Sequence, residues 1–582
     1  MSTSPDLPAP AGEPRGRALE AIRAAGGLAD LGRGVLQQIF GRDAGQALLH
    51  VVLLLGAIIL LRPLFMADIP AGHYETPSIV VSLILEDLMI LHRAATNTTP
   101  TAPRILFLLV PTALFYFTRR RLTWDDWEHG RSMRAAMMVV IGMMAWAAAT
   151  LPYNVYFDQA HFFDRFLLAS LALATWSTPL AAPFAARISI VMLKQANFPI
   201  GQDTFDYRAI ADILVVFSSF VWVSYKRGFH PKHFLLLALA VFGSYYYSTG
   251  VAKWNFGPKY SWLLENRLSN LTASAYAHGW LGFIPERWFM PFLTFLRRFD
   301  VPLAVVTLII EYGSLVAFFL RPTLTRVWLV LCCVLHIGIF LMSGIFFWKW
   351  AVTNLALYFW LRRGGGAQVL RAMCQNALNL AFGIAVVYFS IERIWFAPQI
   401  GVAWYDTRFM EHFEIHVVDA NGSKYLMHPE SFAPGEVHWE QGSFCYATIG
   451  ERSLTGIYGT TYSYDIFRAI EGIKAPKEAL AMHRRAPICD NPQWRKTFDD
   501  FAQRFFGNLN HRGGFPHRWL RWIGSPTHIW IHPQGVLYEG KAPVVRVEVW
   551  RTLVLHHEGA LHRLEHKLVR SVDIENAPGT NL

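Results

Sequence analysis

Three ionisable residues of this chain lie inside or next to long apolar stretches, where an unpaired charge is costly. Lys253 follows the almost uncharged stretch 234–247, and His336 lies within the stretch 327–348. Glu311 interrupts a third apolar stretch and needs either a cation or a bound proton, so Lys253 or His336 is its natural partner. An apolar surrounding favours the neutral amine of lysine, which is a competent base. These residue types indicate a catalytic or transport site within a helical bundle.

Aromatic residues surround Lys253 in the sequence and could form the wall of a ligand site. Tyr246, Tyr247 and Trp254 lie close to it along the chain. An apolar pocket made by these rings would lower the pKa of Lys253, and we expect the same rings to line the cofactor site. The structural alternative is that Lys253 only extends its ammonium group to the membrane surface.

The two histidines also have alternative interpretations. His161 follows Asp158 at the predicted outer end of a helix, where it could assist a reaction or simply lie at the interface. His336 could be a hydrogen-bonded packing residue within its span. Whether these two histidines, Lys253 and Glu311 converge on one cavity decides between the alternatives, because a failure to converge counts against the catalytic interpretation.

The composition is that of a membrane protein with a soluble part. Of the 582 residues, 53% are hydrophobic and 16% are charged, whereas an average soluble domain is about one quarter charged. The formal net charge of +11 comes largely from short loops between apolar runs, which favours topology-setting charge over nucleic-acid binding. Of the five cysteines, Cys445 and Cys489 are the two that could pair outside the membrane, and only in an oxidising compartment.

The apolar runs predict a polytopic α-helical membrane protein with about nine to eleven spans. The candidate spans are 46–65, 104–118, 135–151, 163–178, 180–196, 208–225, 233–250, 301–320, 325–346, 347–361 and 375–396. Pro179 and Pro183 break the stretch 163–196, so we expect a bent hairpin there. The stretch 78–92 contains two acidic residues, which favours an interfacial or re-entrant helix.

Basic residues set the predicted orientation. Arginines in the tail 1–45 place the N-terminus in the cytoplasm, and later basic clusters agree if 163–196 crosses an even number of times. The loop before His161 and the Lys253 end of its helix then face outward. We therefore predict a multi-pass protein of the plasma (inner) membrane, with a transmembrane domain at 46–396 and an extracytoplasmic domain at 397–582.

The region 397–582 has the pattern of a β-rich domain. Alternating polar and apolar residues indicate half-buried strands, and glycine-containing turns separate them. The predicted elements are strands at 413–417, 527–531 and 544–550, turns at Asn421-Gly422 and Gln534-Gly535, and a helix at 495–508. His562 and His566 have a helical spacing, but no acidic or cysteine partner follows in a recognisable frame, so no metal site is predicted.

A family resemblance rests on the residues around Lys253. The run Gly250-Val251-Ala252-Lys253-Trp254, the amphipathic loop after it, Glu311, and His336 followed by Gly344-Ile345-Phe346 resemble the vitamin K-dependent gamma-carboxylase family. Its wider bacterial form is the HTTM (horizontally transferred transmembrane) group. The resemblance covers 244–360, with His161 as a looser match upstream, and implies a helical bundle joined to a β-rich outer domain.

The resemblance also implies an activity. Lys253 would be the base that deprotonates reduced vitamin K, a menaquinol-like cofactor, and His161 would assist its oxygenation. The oxygenated cofactor would then remove a γ-proton from a peptide glutamate, and carbon dioxide would add to the carbanion. The implied partners are membrane lipids, a lipophilic quinone and a peptide or protein substrate at the outer domain. This chain departs from the family in three places. The proline-broken stretch 163–196 is extra sequence between His161 and Lys253, Ala252 replaces the first lysine of the family's pair, and no propeptide-binding stretch is visible.

The competing interpretation is not enzymatic. A membrane scaffold, an assembly factor or a transporter would also need a helical bundle, and its outer domain would bind a partner protein. The apolar run Trp519-Leu520-Arg521-Trp522 fits such a surface. Transport is less favoured, since no paired broken helices occur in corresponding halves of the chain.

Overall fold

The fold is a bundle of helices followed by a domain built on a β-sheet. The computed structural model describes residues 42–96, 113, 122–199, 207–224, 228–396, 403–427, 448–449, 452–486, 491–515, 522–531 and 534–575. The predicted span 104–118, both Cys445 and Cys489, and the run 519–521 lie outside the described residues, apart from residue 113.

Sixteen helices precede the sheet domain in the described part of the chain. They are α1 (Arg42–Met66), α2 (Ala71–Tyr74), α3 (Ile79–Thr96), α4 (Gly130–Thr150), α5 (Phe162–Ala174), α6 (Ala182–Leu193), α7 (Arg208–Val223), α8 (Pro231–Trp254), α9 (Ser261–Leu264), α10 (Leu268–Ala277), α11 (Glu286–Leu296), α12 (Asp300–Leu320), α13 (Pro322–Ser343), α14 (Trp348–Arg362), α15 (Gly364–Cys374) and α16 (Ala377–Phe389). Short 3-10 turns connect several of them.

Helix α8 lies at the centre of the bundle. Its sequence is apolar on all faces, and 89% of its span is buried inside the protein, as expected for a helix surrounded by others. In contrast, only 28% of the α1 and α13 spans is buried, and apolar side chains such as Leu60 and Leu341 face outward. An outward-facing apolar surface on long helices suits a lipid surrounding.

Five of the described helical segments are long and apolar enough to cross a membrane. These segments are Leu49–Met66, Gly130–Thr150, Pro231–Trp254, Glu286–Leu320 and Pro322–Ser343, and the bent pair α15–α16 would make a sixth if it counts as one span. The multi-pass architecture of the prediction is compatible with these helices. The finer count of nine to eleven spans stays a prediction, because α5, α6, α7 and α14 are helical but short.

The stretch 163–196 forms a helical hairpin with its bend at the two prolines. Helix α5 ends before Pro179 and α6 begins just before Pro183. Two basic residues of α6 and its end, Arg187 and Lys194, donate to the carbonyl oxygens of Phe65 and Met66. These carbonyls end α1, so the cations satisfy groups that have no partner within that helix.

The C-terminal domain contains an antiparallel four-stranded sheet in the order β3-β2-β7-β8, with α19 packed on it. The strands are β1 (Tyr405–Asp406), β2 (Phe409–Asp419), β3 (Lys424–Leu426), β4 (Thr448–Ile449), β5 (Arg452–Ser453), β6 (Thr460–Thr461), β7 (Val544–His557) and β8 (Ala560–Asp573). The helices are α17 (Tyr464–Glu471), α18 (Pro476–Arg485) and α19 (Pro492–His511). The predicted strands at 413–417 and 544–550, the helix at 495–508 and the turn at Asn421-Gly422 are confirmed.

Three predictions for this domain were wrong. His562 and His566 lie on strand β8, so their spacing does not place them on one helix face. The stretch 527–531 is not a strand of the sheet, because Ile529 forms a single bridge with Ile345 of the helical bundle. Gln534-Gly535 is followed by a parallel bridge between Leu537 and Leu426 rather than by a hairpin partner.

The C-terminal domain binds one end of the bundle, which we call the domain-side end. Backbone hydrogen bonds join Phe346 N–H to His528 C=O (2.6 Å) and Trp530 N–H to Gly344 C=O (2.9 Å). Arg504 of α19 donates to the backbone oxygen of Tyr156. The loop before His161, the C-terminal end of α8 and the C-terminal domain therefore lie on the same side of the bundle.

Candidate functional site

Two glycines let α8 and α12 approach closely where Lys253 and Glu311 face each other. Gly243 and Gly250 are seven residues apart, about two helical turns, so they lie on the same face of α8. A Cβ atom at Gly250 would lie 3.1 Å from Cβ of Glu311 and 3.3 Å from the backbone nitrogen of Tyr312. Small residues at these positions bring the two helix backbones together.

Lys253 and Glu311 form an ion pair across this contact. The Lys253 ammonium binds Oε1 of Glu311, and the two side chains are 14% and 5% exposed. The second carboxylate oxygen, Oε2 of Glu311, is buried without a hydrogen-bond partner. Lys253 Nζ also lies 5.4 Å from the ring centre of Trp262, a cation–π distance. Glu311 is thus joined to Lys253, which was one of the two partners that the sequence offered.

A buried carboxyl group of the C-terminal domain lies next to this pair. The Asp406 side chain accepts hydrogen bonds from Asn266 Nδ2 (2.9 Å) and Trp404 Nε1 (3.1 Å), and its backbone N–H donates to Asn266 Oδ1 (2.7 Å). The Trp404 carbonyl oxygen accepts from Trp262, the ring beside Lys253. Burial raises the pKa of Asp406 to about 7, although the hydrogen bonds from Asn266 and Trp404 and the charge of Lys253 act in the opposite direction.

The sequence did not single out Asp406 or Asn266. The two residues are 140 positions apart, and neither interrupts an apolar run. Residues 403–406 are a short mixture of aromatic and polar side chains and form no recognisable motif. A contact between two domains has no periodic pattern from which it could be found.

His336 belongs to a second polar cluster, deeper in the bundle. Its Nε2 atom lies 2.7 Å from the Tyr246 hydroxyl, and Asn354 Nδ2 lies 3.3 Å from that same hydroxyl. These residues come from α13, α8 and α14, and all three are buried. Two polar atoms of the cluster, His336 Nδ1 and Asn354 Oδ1, have no hydrogen-bond partner. Trp350 packs 5.4 Å from the His336 ring and 5.6 Å from the Tyr246 ring.

Tyr247 and Trp254 lie in an aromatic cluster with Tyr312 and Tyr388. Tyr247 packs against Tyr312 at 5.7 Å and against Tyr388 at 6.4 Å. Trp254 packs 6.0 Å from Tyr312 and is 46% exposed at the domain-side end. Tyr312 follows Glu311 directly, so these rings flank the ion pair. Among the described residues, no ring pair joins them to the deeper cluster of Tyr246 and His336.

His161 lies in another part of the bundle. It precedes α5, and its Nδ1 atom is 3.5 Å from a carboxylate oxygen of Asp164. Asp164 in turn accepts from Ser78 and from the backbone N–H groups of Ile79 and Val80, where α3 begins. No hydrogen bond or ion pair joins His161 to Lys253 in the described ranges, so the structure does not bring these two predicted catalytic residues into contact.

The comparisons with known proteins add no assignment. No family model, no curated protein and no solved structure matches this chain. The function therefore has to be argued from the geometry of the chain itself. Within the described residues, no group of three or more histidine, cysteine, aspartate or glutamate side chains could hold a metal ion.

The arrangement can transfer and hold protons. Lys253 and Glu311 bring an amine and a carboxyl group into contact, and Asp406, whose pKa burial raises to about 7, adds a third acid–base group. The deeper cluster supplies hydrogen bonds without charge. The site thus combines an acid–base pair at the domain junction with a neutral polar cluster below it.

Proposed function

We propose that the protein is an integral-membrane enzyme in which Lys253 accepts a proton from a lipophilic quinol, as the resemblance to vitamin K-dependent gamma-carboxylases implies. The observation that carries the proposal is the Lys253–Glu311 pair, buried between α8 and α12 at the junction with the C-terminal domain. A purely surface lysine would have no such carboxylate partner within the bundle. The proposal places the N-terminus in the cytoplasm and the C-terminal domain outside the plasma membrane.

The proton count of the pair defines what it can do. With one proton shared between them, either Lys253 is an ammonium and Glu311 a carboxylate, or Lys253 is a neutral amine and Glu311 a carboxylic acid. In the second state Nζ of Lys253 can accept the proton of a ligand hydroxyl while Glu311 keeps its own. Glu311 is therefore the group that holds the proton when Lys253 acts as a base.

The described residues fit a reduced quinone such as reduced vitamin K. Three buried polar atoms have no hydrogen-bond partner: Oε2 of Glu311, Nδ1 of His336 and Oδ1 of Asn354. The Trp350 ring packs against His336 and Tyr246. When bound, a reduced quinone supplies a hydroxyl that can lose a proton and electrons that can pass to dioxygen. Among the described residues His161 contacts Asp164 rather than this region, so the role of His161 in oxygenation is proposed on the resemblance.

Carboxylation of a peptide glutamate would take place at the junction of the two domains. Asp406 and Trp404 bring the C-terminal domain within reach of Trp262 and Lys253. A peptide bound on the outer domain could then meet the product of the base step without leaving the site. Peptide glutamate is the acceptor that the resemblance implies.

The test is oxidation of vitamin K hydroquinone by the purified protein in lipid nanodiscs under oxygen. We expect epoxide formation in the wild-type protein and a loss of about 100-fold or more in Lys253→Ala, because a positioned general base contributes about that factor. Thr353→Val is the control, since its hydroxyl only binds the carbonyl of Lys349 within α14. Equal epoxide formation by wild type and Lys253→Ala would remove the lysine from the mechanism.

A second candidate function is binding of a partner protein by the outer domain. Trp522 is 89% exposed beside the half-exposed Ile523, and such an apolar surface outside a membrane is unusual without a partner. In that case the Lys253–Glu311 pair would be a structural contact between helices. A protein that neither oxidises the quinol nor retains it through purification from native membranes would favour this role.

A further inference from the structure

Helix α11 and the 3-10 turn after it present large aromatic rings on their outer surface. Trp288, Phe292, Phe295 and Phe299 are between 42% and 67% exposed. Their intervals of four, three and four residues place them on one face of the helix, which we call the aromatic row. A continuous row of exposed rings is unusual on a surface that faces water, so it indicates an interaction surface.

The opposite face of α11 holds the helix against the rest of the protein. Phe289, Met290 and Leu293 are buried and pack against α10. At the start of the helix, the Glu286 carboxylate accepts a hydrogen bond from the backbone N–H of Leu561, close to the first residue of β8 (3.1 Å). The aromatic row is therefore the part of α11 that this packing leaves outside.

The aromatic row continues along α12. Val306 and Ile309, seven and ten residues after Phe299, are 51% and 57% exposed. Together α11 and α12 form one apolar segment of 35 residues, which is about 52 Å long, whereas the hydrocarbon core of a bilayer is about 30 Å thick. The 21 residues of α12 already cover that thickness, so α11 extends beyond the core at the domain-side end.

A basic edge runs beside the aromatic row. Arg287, Thr294 and Arg298 are exposed and are spaced by seven and four residues, which places them about a quarter of a turn from the row. Positive charge also lies at the end of α11 nearest the sheet, where burial and then nearby cations, first among them Arg297, lower the pKa of His556 to about 4. An apolar face with a basic edge matches acyl chains below a layer of phosphates.

We propose that α11 is an interfacial helix that binds the domain-side leaflet of the bilayer, with the aromatic row among the upper acyl chains and Arg287 and Arg298 at the level of the phosphates. The inference rests on the membrane insertion that is part of the proposed function. Lipid is favoured over a protein partner because the row runs, without a charged residue in it, into the outward apolar face of α12. Through Glu286 the helix also holds the β7–β8 hairpin at the membrane surface.

The test is the accessibility of spin labels attached to single introduced cysteines in the full-length protein in phosphatidylcholine nanodiscs. Dioxygen concentrates in the hydrocarbon core and nickel(II) ethylenediaminediacetate stays in water, so the ratio of the two accessibilities reports depth. Phe295→Cys probes the aromatic row, and Thr294→Cys, its neighbour on the basic edge, is the matched control. Val306→Cys gives the value for lipid, and Lys541→Cys, at a side chain that is 84% exposed, gives the value for water. Wild-type protein labelled in parallel supplies the background of the native cysteines.

We expect the oxygen-to-nickel ratio at Phe295 to be several-fold above that at Lys541 and clearly above that at Thr294, because the apolar face of an interfacial helix lies about 5–10 Å into the boundary between headgroups and chains. A ratio at Phe295 as low as that at Lys541 would place α11 in water and overturn the inference. A label shielded from both reagents would also overturn it, since a protein would then cover the row. Equal ratios at Thr294 and Phe295 would exclude the interfacial orientation. If Val306 gives the value for water, the membrane insertion itself fails, and the proposed function fails with it.

Discussion

Lys253 and Glu311 show at the scale of single residues why a charge can lie within this bundle. Each charge compensates the other for the loss of hydration on burial. The pair lies where the two glycines bring α8 and α12 together. Taking one charge away leaves the other buried without compensation, which is more costly than removing both. The pair can therefore be tested by stability as well as by activity.

We predict that Glu311→Leu lowers the free energy of unfolding by about 3 kcal/mol, because the ammonium of Lys253 then lacks its partner. The double variant Lys253→Met with Glu311→Leu should recover most of this loss, since both charges are gone. Thermal unfolding in detergent micelles measures both changes. A double variant no more stable than Glu311→Leu would show that the pairing does not explain the cost.

The sequence identified the ionisable residues of the bundle and Tyr246, but it missed Asn354 and Asp406. Lys253, Glu311 and His336 are visible because each interrupts an apolar run. Asn354 lies within such a run too, but an uncharged amide is cheap enough to occur there as packing, so it gives no signal. The pairing of His336 with Tyr246 rather than with Glu311 depends on how three helices are rotated, which a single sequence does not fix.

At the scale of elements, the closeness of α8 and α12 depends on the missing side chains at Gly243 and Gly250. A Cβ atom at Gly243 would lie 2.8 Å from Val387 of α16, and one at Gly250 would meet the backbone of α12. In contrast, Gly142 of α4 has nothing within 4 Å of the position of its Cβ. Three helical glycines thus differ in what surrounds them.

We predict that Gly250→Ala lowers the free energy of unfolding by about 1–3 kcal/mol, because α12 must move away. Gly142→Ala should be neutral or stabilise the protein by up to about 1 kcal/mol, since alanine restricts the unfolded chain without a clash. Parallel thermal unfolding of the two variants measures the contrast. Similar effects at both positions would mean that helix propensity, rather than the α8–α12 contact, controls the result.

The type of most long elements could be predicted from periodicity, whereas the local partners of the shorter ones could not. The apolar runs located α4, α8, α12 and α13, and Asn421-Gly422 located the β2–β3 hairpin. A four-residue interval fits one face of a helix and also one face of a strand. The spacing of His562 and His566 therefore could not identify the element on which they lie. The segment 527–531 has a strand pattern but pairs with the bundle, because the partner is decided by docking.

At the scale of the whole molecule, Asp406 couples the junction of the two domains to pH. Its pKa of about 7 lies above the usual value near 4, mainly because the group is buried. The protonated carboxyl is thus favoured in the folded protein. Its contribution to stability is complete below about pH 4 and is lost as the pH rises through 7. Asn266, Trp404, Lys253 and Asp300 are the groups that act on it.

We predict that Asp406→Asn removes part of the loss of stability between pH 5.5 and pH 8.5, raising the melting temperature at the higher pH by about 3 °C or more. The amide carries no charge at either pH. Asp500→Asn is the control, since that carboxylate is 64% exposed on α19 and should leave the pH profile unchanged. A melting temperature of Asp406→Asn that falls with pH as steeply as that of the wild type would contradict the prediction.

We predict that Trp522→Cys is labelled by a membrane-impermeant maleimide added outside intact cells, because the C-terminal domain is proposed to face outward. The exposed position of Trp522 makes the new thiol accessible. Labelling of the wild-type protein in parallel measures the background from its five native cysteines, of which Cys332 and Cys333 are buried. The same variant in inside-out vesicles should label only after detergent is added. Labelling in the reverse order would invert the proposed topology.

The backbone bonds between the α13–α14 loop and residues 526–530 also have a consequence for synthesis. About 180 residues separate the two segments that form this contact. At about 5–20 residues per second, the ribosome needs on the order of ten seconds or more after Phe346 to synthesise residues 526–530. Until then Gly344 and Phe346 lack the partners that fix the turn between the helices carrying His336 and Asn354. A nascent chain can therefore be inserted in the membrane before this turn is fixed, and the junction between the bundle and the C-terminal domain is completed only when nearly the whole protein has been made.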